Sequence, residues 1–117
     1  MNENAAVVLG MGPTALGLVR ALGRKNFKVF GIGLNRFEVS LSSRYCQRLG
    51  AIDPRFEPGK LLDLLLDFGQ KNSKHTRLIL YPSGDECVVF IAEYHKDLSQ
   101  YYTFSKLNHY MLELVFI

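Results

Sequence analysis

The chain is poor in the residues that usually bind metals or form disulfides. It has two cysteines and three histidines in 117 residues. Cys46 and Cys87 show neither a CxxC motif nor the spacing of metal ligands, and the histidines lie far from one another in sequence, at positions 75, 95 and 109. This pattern gives no support for a disulfide framework or a metal site, and it predicts two buried free thiols.

Long apolar segments are also missing. No stretch reaches the roughly 18 to 20 consecutive apolar residues that a membrane helix requires. The first residues, MNENAA, lack the basic and apolar regions of a secretory signal peptide. We therefore expect a protein of the cytoplasm that does not bind a membrane.

The composition is that of a globular protein, with 48% hydrophobic and 21% charged residues, and it argues against long disordered segments. A chain of this length can bury a core without disulfides or a structural metal, so we expect one domain over residues 1–117. The net charge of +3 would suit an anionic partner. Because only Arg24, Lys25 and Lys28 are close together, nucleic-acid binding is not favoured.

The order of apolar runs and helical patterns predicts an α/β fold. Buried strands are predicted at residues 5–10, 27–33 and 77–81, and shorter strands near 48–52 and 101–104. Helices are predicted from Pro13 to about residue 23, over residues 60–68, from Ser83 through about His95, and after Ser105. This order predicts a Rossmann-like three-layer sandwich with a mainly parallel sheet, in which the first strand lies at the centre beside the strand RLILY.

The glycine turn that follows the first strand is one candidate site. Gly10, Gly12 and Ala15 match the pattern G-x-G-x-x-G/A between a strand and a helix, and the N–H groups of such a helix start favour an anion. Pro13 removes one N–H group, and the second strand ends in Gly-Leu-Asn without a carboxylate for a ribose hydroxyl.

The chemistry of this turn stays open at the level of sequence. Arg36 could meet a 2′-phosphate, which leaves NADP as an alternative, whereas a P-loop is excluded because no G-K-[ST] follows the glycines. The glycines could also serve only a tight turn and close helix packing.

A second candidate site is the stretch PSGDE at the end of the strand RLILY, where ligands bind in open α/β sheets. Ser83, Asp85 and Glu86 could hold an amine or a hydroxyl group, or bind a metal through one ligand. Capping also explains them, since Ser83 and Glu86 have the spacing of a capping box and Asp85 favours the positive end of a helix. Arg44 is the candidate for binding a carboxylate or phosphate by two parallel hydrogen bonds, and we expect it at the same crevice unless it is a solvated surface arginine.

The ordered segments VLGMGPTALGLVRALGRK, VFGIG, SSRYC, LILYPSGDE and YYTF together resemble the N-terminal pre-ATP-grasp domain of ATP-grasp carboxylate–amine ligases. This group includes D-aspartate ligase-like and carbamoyl-phosphate-synthase-like enzymes, and the resemblance extends from about residue 5 to residue 114. It implies a domain that lines the pocket for a small carboxylate or amino-acid substrate. The positions that it places on the substrate side are Gly10, Met11, Gly12, Pro13, Thr14, Arg44, Ser83, Gly84, Asp85 and Glu86.

The resemblance also implies that ATP and magnesium bind chiefly in following domains, so that this chain alone binds no cofactor and has no catalytic residue. Here the chain stops at Ile117, where the family would continue into the ATP-grasp fold. We therefore expect a domain that is inactive without an ATP-grasp module, encoded by the same gene or by a separate subunit. Two alternatives remain: a small NADP- or nucleotide-binding module, and a non-catalytic interaction domain that self-associates through an apolar face.

Overall fold

The computed structural model describes residues 3–38, 43–74 and 76–104. Along these ranges the elements are β1 (Glu3–Leu9), α1 (Pro13–Arg24), β2 (Lys28–Gly33), β3 (Cys46–Ala51), α2 (Pro58–Asn72), β4 (Thr76–Pro82), α3 (Asp85–Glu93), α4 (His95–Leu98) and β5 (Tyr102–Phe104). The helix predicted after Ser105 lies outside the described residues. None of these helices is long and apolar enough to cross a bilayer.

The strands form one parallel sheet in the order β3-β2-β1-β4-β5. The predicted Rossmann-like α/β fold is therefore confirmed, including the central position of β1 between β2 and β4. The chain first moves outward from β1 through β2 to β3 and then crosses to β4 on the other side. The carboxyl ends of β1 and β4 thus border the crevice at which ligands bind in sheets of this kind.

Both faces of β1 are buried, which explains its uninterrupted apolar sequence. Ala5, Val7 and Leu9 pack into a core formed with residues of α2, α3 and α4, whereas Ala6 and Val8 pack on the opposite face with residues of α1. Helices therefore cover the sheet on two sides, as a three-layer sandwich requires.

The single helix predicted from Ser83 through about His95 is found as two helices, α3 from Asp85 to Glu93 and α4 from His95 to Leu98. The boundaries of two further elements also differ from the prediction. β3 begins at Cys46 rather than near residue 48, and its exposed Gln47 and Arg48 fit a strand at the edge of the sheet. α2 continues to Asn72 instead of ending near Phe68, because Gly69 lies on its buried face with Leu61 and Leu65 and does not terminate the helix.

Candidate functional site

The carboxyl ends of β1, β2 and β4 are joined by hydrogen bonds around the glycine turn. The Ser83 N–H donates to the Leu9 carbonyl at 2.9 Å, and the Ser83 hydroxyl donates to the Gly10 carbonyl. The Gly10 N–H donates to the Ile32 carbonyl at 2.8 Å. The two sequence-predicted segments, residues 10–14 and 82–86, therefore meet at one crevice.

Gly10 is required here by its conformation and by its neighbours. Its φ of 82° lies in the left-handed region. A Cβ atom would lie only 2.8 Å from Ser83 Oγ and 3.3 Å from Cys87 Sγ. The requirements of the tight turn are thus sufficient to explain why residue 10 is glycine, whether or not a ligand binds.

Met11 takes part in the site through its backbone alone. Its side chain is fully buried in the core beside α1. Gly12 is the N-cap of α1, and Pro13 and Thr14 begin the helix, as the sequence predicts. The turn therefore presents backbone groups to the crevice, which is the arrangement that favours an anion.

A carboxylate of the protein itself already binds this turn. Glu38 Oε1 accepts hydrogen bonds from the Met11 N–H at 3.1 Å and from the Leu34 N–H. Glu38 Oε2 lies close to Gly12, 3.3 Å from the position that a Cβ of Gly12 would occupy. The carboxylate is thus held between the turn after β1 and the end of β2.

Glu38 was not among the predicted site residues, because it does not lie directly at the end of β2 but four residues after Leu34. The side-chain oxygen of Asn35 accepts the Phe37 N–H at 2.9 Å, and this turn brings the chain back toward β1. The signal that could have found Glu38 is Asn35, since asparagine favours turns of this type. The end of β2 itself has no carboxylate, as the sequence shows, and Glu38, four residues after Leu34, supplies one beside the turn.

The PSGDE stretch does not form the predicted capping box. Gly84 is the N-cap of α3, and no side chain makes a cap hydrogen bond there, because the Ser83 hydroxyl is bonded to Gly10 instead. Asp85 is exposed and Glu86 is half-buried, both in the first turn of α3, where negative charge is favourable.

The crevice is acidic around its buried thiol. Burial first, and then the nearby charges of Glu86, Glu38 and Asp53, together raise the pKa of Cys87 to about 12. Cys87 is consequently a protonated thiol at neutral pH and not a nucleophile. Three carboxylates thus lie within electrostatic range of the thiol, and the Arg55 guanidinium, which pairs with Asp53 and also interacts with Glu86, offsets part of their charge.

Arg44 does not join this site. It lies just before β3, and it lines a groove with Arg20, Arg24 and Tyr45. Cys46, at the start of β3, pairs with Val29 near the start of β2, whereas the crevice lies beyond Gly33. Val29 and Gly33 are about 13 Å apart along the strand, so the expected grouping of Arg44 with the glycine turn is not found.

Both cysteines are free thiols, with Cys87 buried and Cys46 half-buried. In the ranges that the structure describes, no three His, Cys, Asp or Glu side chains come together in a way that could hold a metal ion. Comparison of the chain with protein-family models and with curated proteins gives no match. Its function has to be inferred from the crevice itself.

Proposed function

We propose that this domain is the substrate side of an ATP-dependent carboxylate–amine ligase that works with an ATP-grasp module on the same gene or on a separate subunit. The observation that carries the proposal is the Glu38 carboxylate on the Met11 and Leu34 N–H groups. A substrate carboxylate has the same charge and the same acceptor atoms. It would bind where Glu38 binds now, with Glu38 displaced.

The acidic surroundings extend the proposal to an amino-acid substrate. The Met11 and Leu34 N–H groups would hold its carboxylate, and the carboxylates of Glu86 and Asp53 would favour its ammonium group. Asp53 is also paired with Arg55 at 2.7 Å, so Glu86 is the stronger candidate for contact with the cation.

In the proposed reaction ATP transfers its terminal phosphoryl group to a substrate carboxylate, and an amine then attacks the acyl phosphate and displaces inorganic phosphate. ATP and magnesium would be held by the ATP-grasp module. The residues of this chain would bind and orient the substrate and would exclude water from one wall of the pocket.

A second candidate function is favoured by the same residue. In dinucleotide-binding folds an acidic side chain after the second strand binds the ribose hydroxyls, and Glu38 follows β2 and lies beside the glycine turn. A nucleotide-binding module would therefore use Glu38 as a ligand contact, whereas the ligase domain would have to move Glu38 aside.

The substitution Glu38→Gln distinguishes the two functions, because it should raise the affinity for an amino acid and lower the affinity for a nucleotide. It keeps an acceptor oxygen but removes the charge, so the side chain competes less well for the turn amides. We expect binding of glycine, L-aspartate or D-aspartate to become severalfold tighter, with shifts of the Met11 and Gly12 amide resonances. Binding of NAD or NADP would instead become weaker.

Asp63→Asn is the matched control, since Asp63 is exposed on α2 and the substitution removes the same charge. It should leave the affinity for the amino acids and the affinity for NAD or NADP unchanged. The ligase proposal is contradicted if none of the three amino acids shifts the Met11 and Gly12 amides in Glu38→Gln, or if the domain alone binds magnesium-ATP with micromolar affinity in calorimetry.

A further inference from the structure

A group of basic side chains lies along α1, away from the crevice. Arg20 and Arg24 of α1 and Arg44 of the loop before β3 line one groove, together with Leu16, Ser43 and Tyr45. The volume of the groove is about 480 Å³, which is in the range of sites for small molecules. The groove thus combines three guanidinium groups with room for a ligand.

Tyr45 is held firmly at this groove. Its ring lies against Gly23 of α1, so closely that a Cβ atom on Gly23 would be 2.6 Å from Tyr45 Cγ and 2.7 Å from Tyr45 Cβ. The Tyr45 N–H donates to Ser43 Oγ at 3.2 Å. Glycine at position 23 is therefore what allows the ring to approach the helix.

Arg44 in turn is positioned by Tyr45. Its Nη2 donates to the Tyr45 hydroxyl at 2.9 Å, and its guanidinium carbon lies 4.9 Å from the centre of the tyrosine ring. A guanidinium that is stacked and hydrogen-bonded has lost part of its conformational freedom before a ligand arrives, which favours binding.

Among the residues that the structure describes, no acidic side chain forms an ion pair with an arginine of the groove. In the described ranges, ion pairs join Asp53 to Arg55, Glu57 to Lys60 and Asp67 to Lys71. None of these pairs includes Arg20, Arg24 or Arg44. The pKa of the Tyr45 hydroxyl is lowered, first by its hydrogen bond from Arg44 and by the charge of Arg44, and further by Arg24.

Helix electrostatics explains only part of this arrangement. Arg24 in the last turn of α1 interacts favourably with the helix dipole. Arg20 lies four residues before Arg24, and two like charges at this spacing destabilise a helix. An anion bound between the arginines would replace this repulsion with attraction.

We propose that the groove is a binding site for the phosphate group of a small phosphorylated metabolite, with Arg20, Arg24 and Arg44 donating hydrogen bonds to the phosphate oxygens. A phosphate monoester carries about −1.5 to −2 charges at neutral pH and three terminal oxygens, which match three guanidinium groups better than a carboxylate does. The site is independent of the ligase proposal, because it shares no residue with the turn at Gly10.

The test uses the whole ¹⁵N-labelled chain, titrated with ribose 5-phosphate at constant ionic strength and with ribose as the unphosphorylated probe. We expect ribose 5-phosphate, and not ribose, to shift the amides of Arg24, Arg44 and Tyr45. Arg20→Gln and Arg44→Gln should each weaken binding about tenfold. Arg77→Gln, an exposed residue of β4 with the same change in charge, is the matched control and should bind like the wild type.

Three results would overturn the proposal. One is that ribose 5-phosphate leaves the Arg24, Arg44 and Tyr45 amides unmoved. Another is that Arg77→Gln weakens binding as much as Arg44→Gln, which would mean that only the net charge of the protein attracts phosphate. The third is that a short single-stranded DNA binds to the same arginines more tightly than ribose 5-phosphate, which would identify a nucleic-acid surface. Circular dichroism of each variant verifies its fold.

Discussion

Gly10 combines two requirements at a single residue. Its φ of 82° is a conformation that costs a residue with a side chain roughly 1–2 kcal/mol. The added Cβ would also be 2.8 Å from Ser83 Oγ, so the hydroxyl that links β4 to the turn would have to move. The backbone strain and the lost contact add to one another because they have separate causes.

We therefore expect Gly10→Ala to lower the free energy of unfolding by about 2 kcal/mol or more, measured by urea denaturation. Gly17→Ala is the matched control. Gly17 is exposed within α1, and a Cβ there would have no atom within 4 Å, so this change should raise the free energy of unfolding by about 0.5–1 kcal/mol. A similar decrease of the free energy of unfolding in Gly10→Ala and Gly17→Ala would contradict the special requirement for glycine at position 10.

Single residues of the site could be predicted to different degrees. The meeting of the Gly10 turn with Ser83 follows from the order of elements, since parallel strands that share a crevice bring their carboxyl ends together. Glu38 and Arg44 both belong to the irregular segment after β2. Their positions depend on the turn at Asn35 and on the close approach of Tyr45 to Gly23, which no periodic pattern records.

At the scale of elements, Ser83 connects strands instead of starting a helix. Its hydroxyl donates to Gly10, and its N–H donates to Leu9, so it ties the end of β4 to the end of β1. The first turn of α3 is formed without it, since the Cys87 and Val88 N–H groups donate to the Gly84 carbonyl, each at 3.1 Å. The capping-box spacing is present in the sequence but is not used.

Ser83→Ala should lower the free energy of unfolding by about 1 kcal/mol, because the Gly10 carbonyl loses a partner in a partly buried place. Amide hydrogen exchange at Val88 should change no more than the global stability does, since the helix start keeps its bonds. Ser99→Ala is the matched control. Its hydroxyl bonds to the His95 carbonyl at 2.6 Å in an exposed place, so the loss should stay within about 0.5 kcal/mol. If Ser83→Ala selectively lost protection from amide hydrogen exchange at the start of α3, Ser83 would be a cap of that helix after all.

The sequence predicts the five strands and α1 to within about two residues. The interior strands β1, β2 and β4 and the Gly-Pro start of α1 carry the strongest local signals. β3 carries a weaker one. It lies at the edge of the sheet, with one neighbour, and several of its residues face solvent. Its start is fixed by its partner β2 more than by its own composition.

At the scale of the whole molecule, the stability of the fold at high pH depends on two buried groups that can lose a proton, Cys87 and Tyr102. Burial, together with the nearby carboxylates, raises the pKa of Cys87 from about 9 to about 12, and burial also raises the pKa of Tyr102, whose hydroxyl donates to the Leu65 carbonyl at 2.6 Å. Above pH 9 the unfolded chain releases the thiol proton while the folded chain keeps it. The unfolded state then binds fewer protons, so stability falls as pH rises.

We expect the free energy of unfolding to decrease from about pH 9 upward, with a contribution from Cys87 of at most about 1.4 kcal/mol per pH unit. Urea denaturation at a series of pH values measures this slope. Cys87→Ala lowers stability at neutral pH because it removes a buried sulfur, yet it should make the alkaline slope shallower. Cys46→Ala should reduce the slope less, since Cys46 is only half-buried and its pKa is raised by desolvation alone. If the free energy of unfolding fell equally steeply with pH in the wild type and in Cys87→Ala, Cys87 would not be the source of the alkaline dependence.

The strand order has a consequence for the way the protein is made. Ribosomes deliver β1 early, but one of its two neighbours is β4, and the contact between Gly10 and Ser83 joins residues that are 73 positions apart. At about 5–20 residues per second, one edge of β1 waits several seconds for its partner. During that time an apolar strand with unpaired backbone groups is exposed on the nascent chain. The segment Ala5–Leu9 is therefore where we expect chaperones to bind and where overproduction would first lead to aggregation.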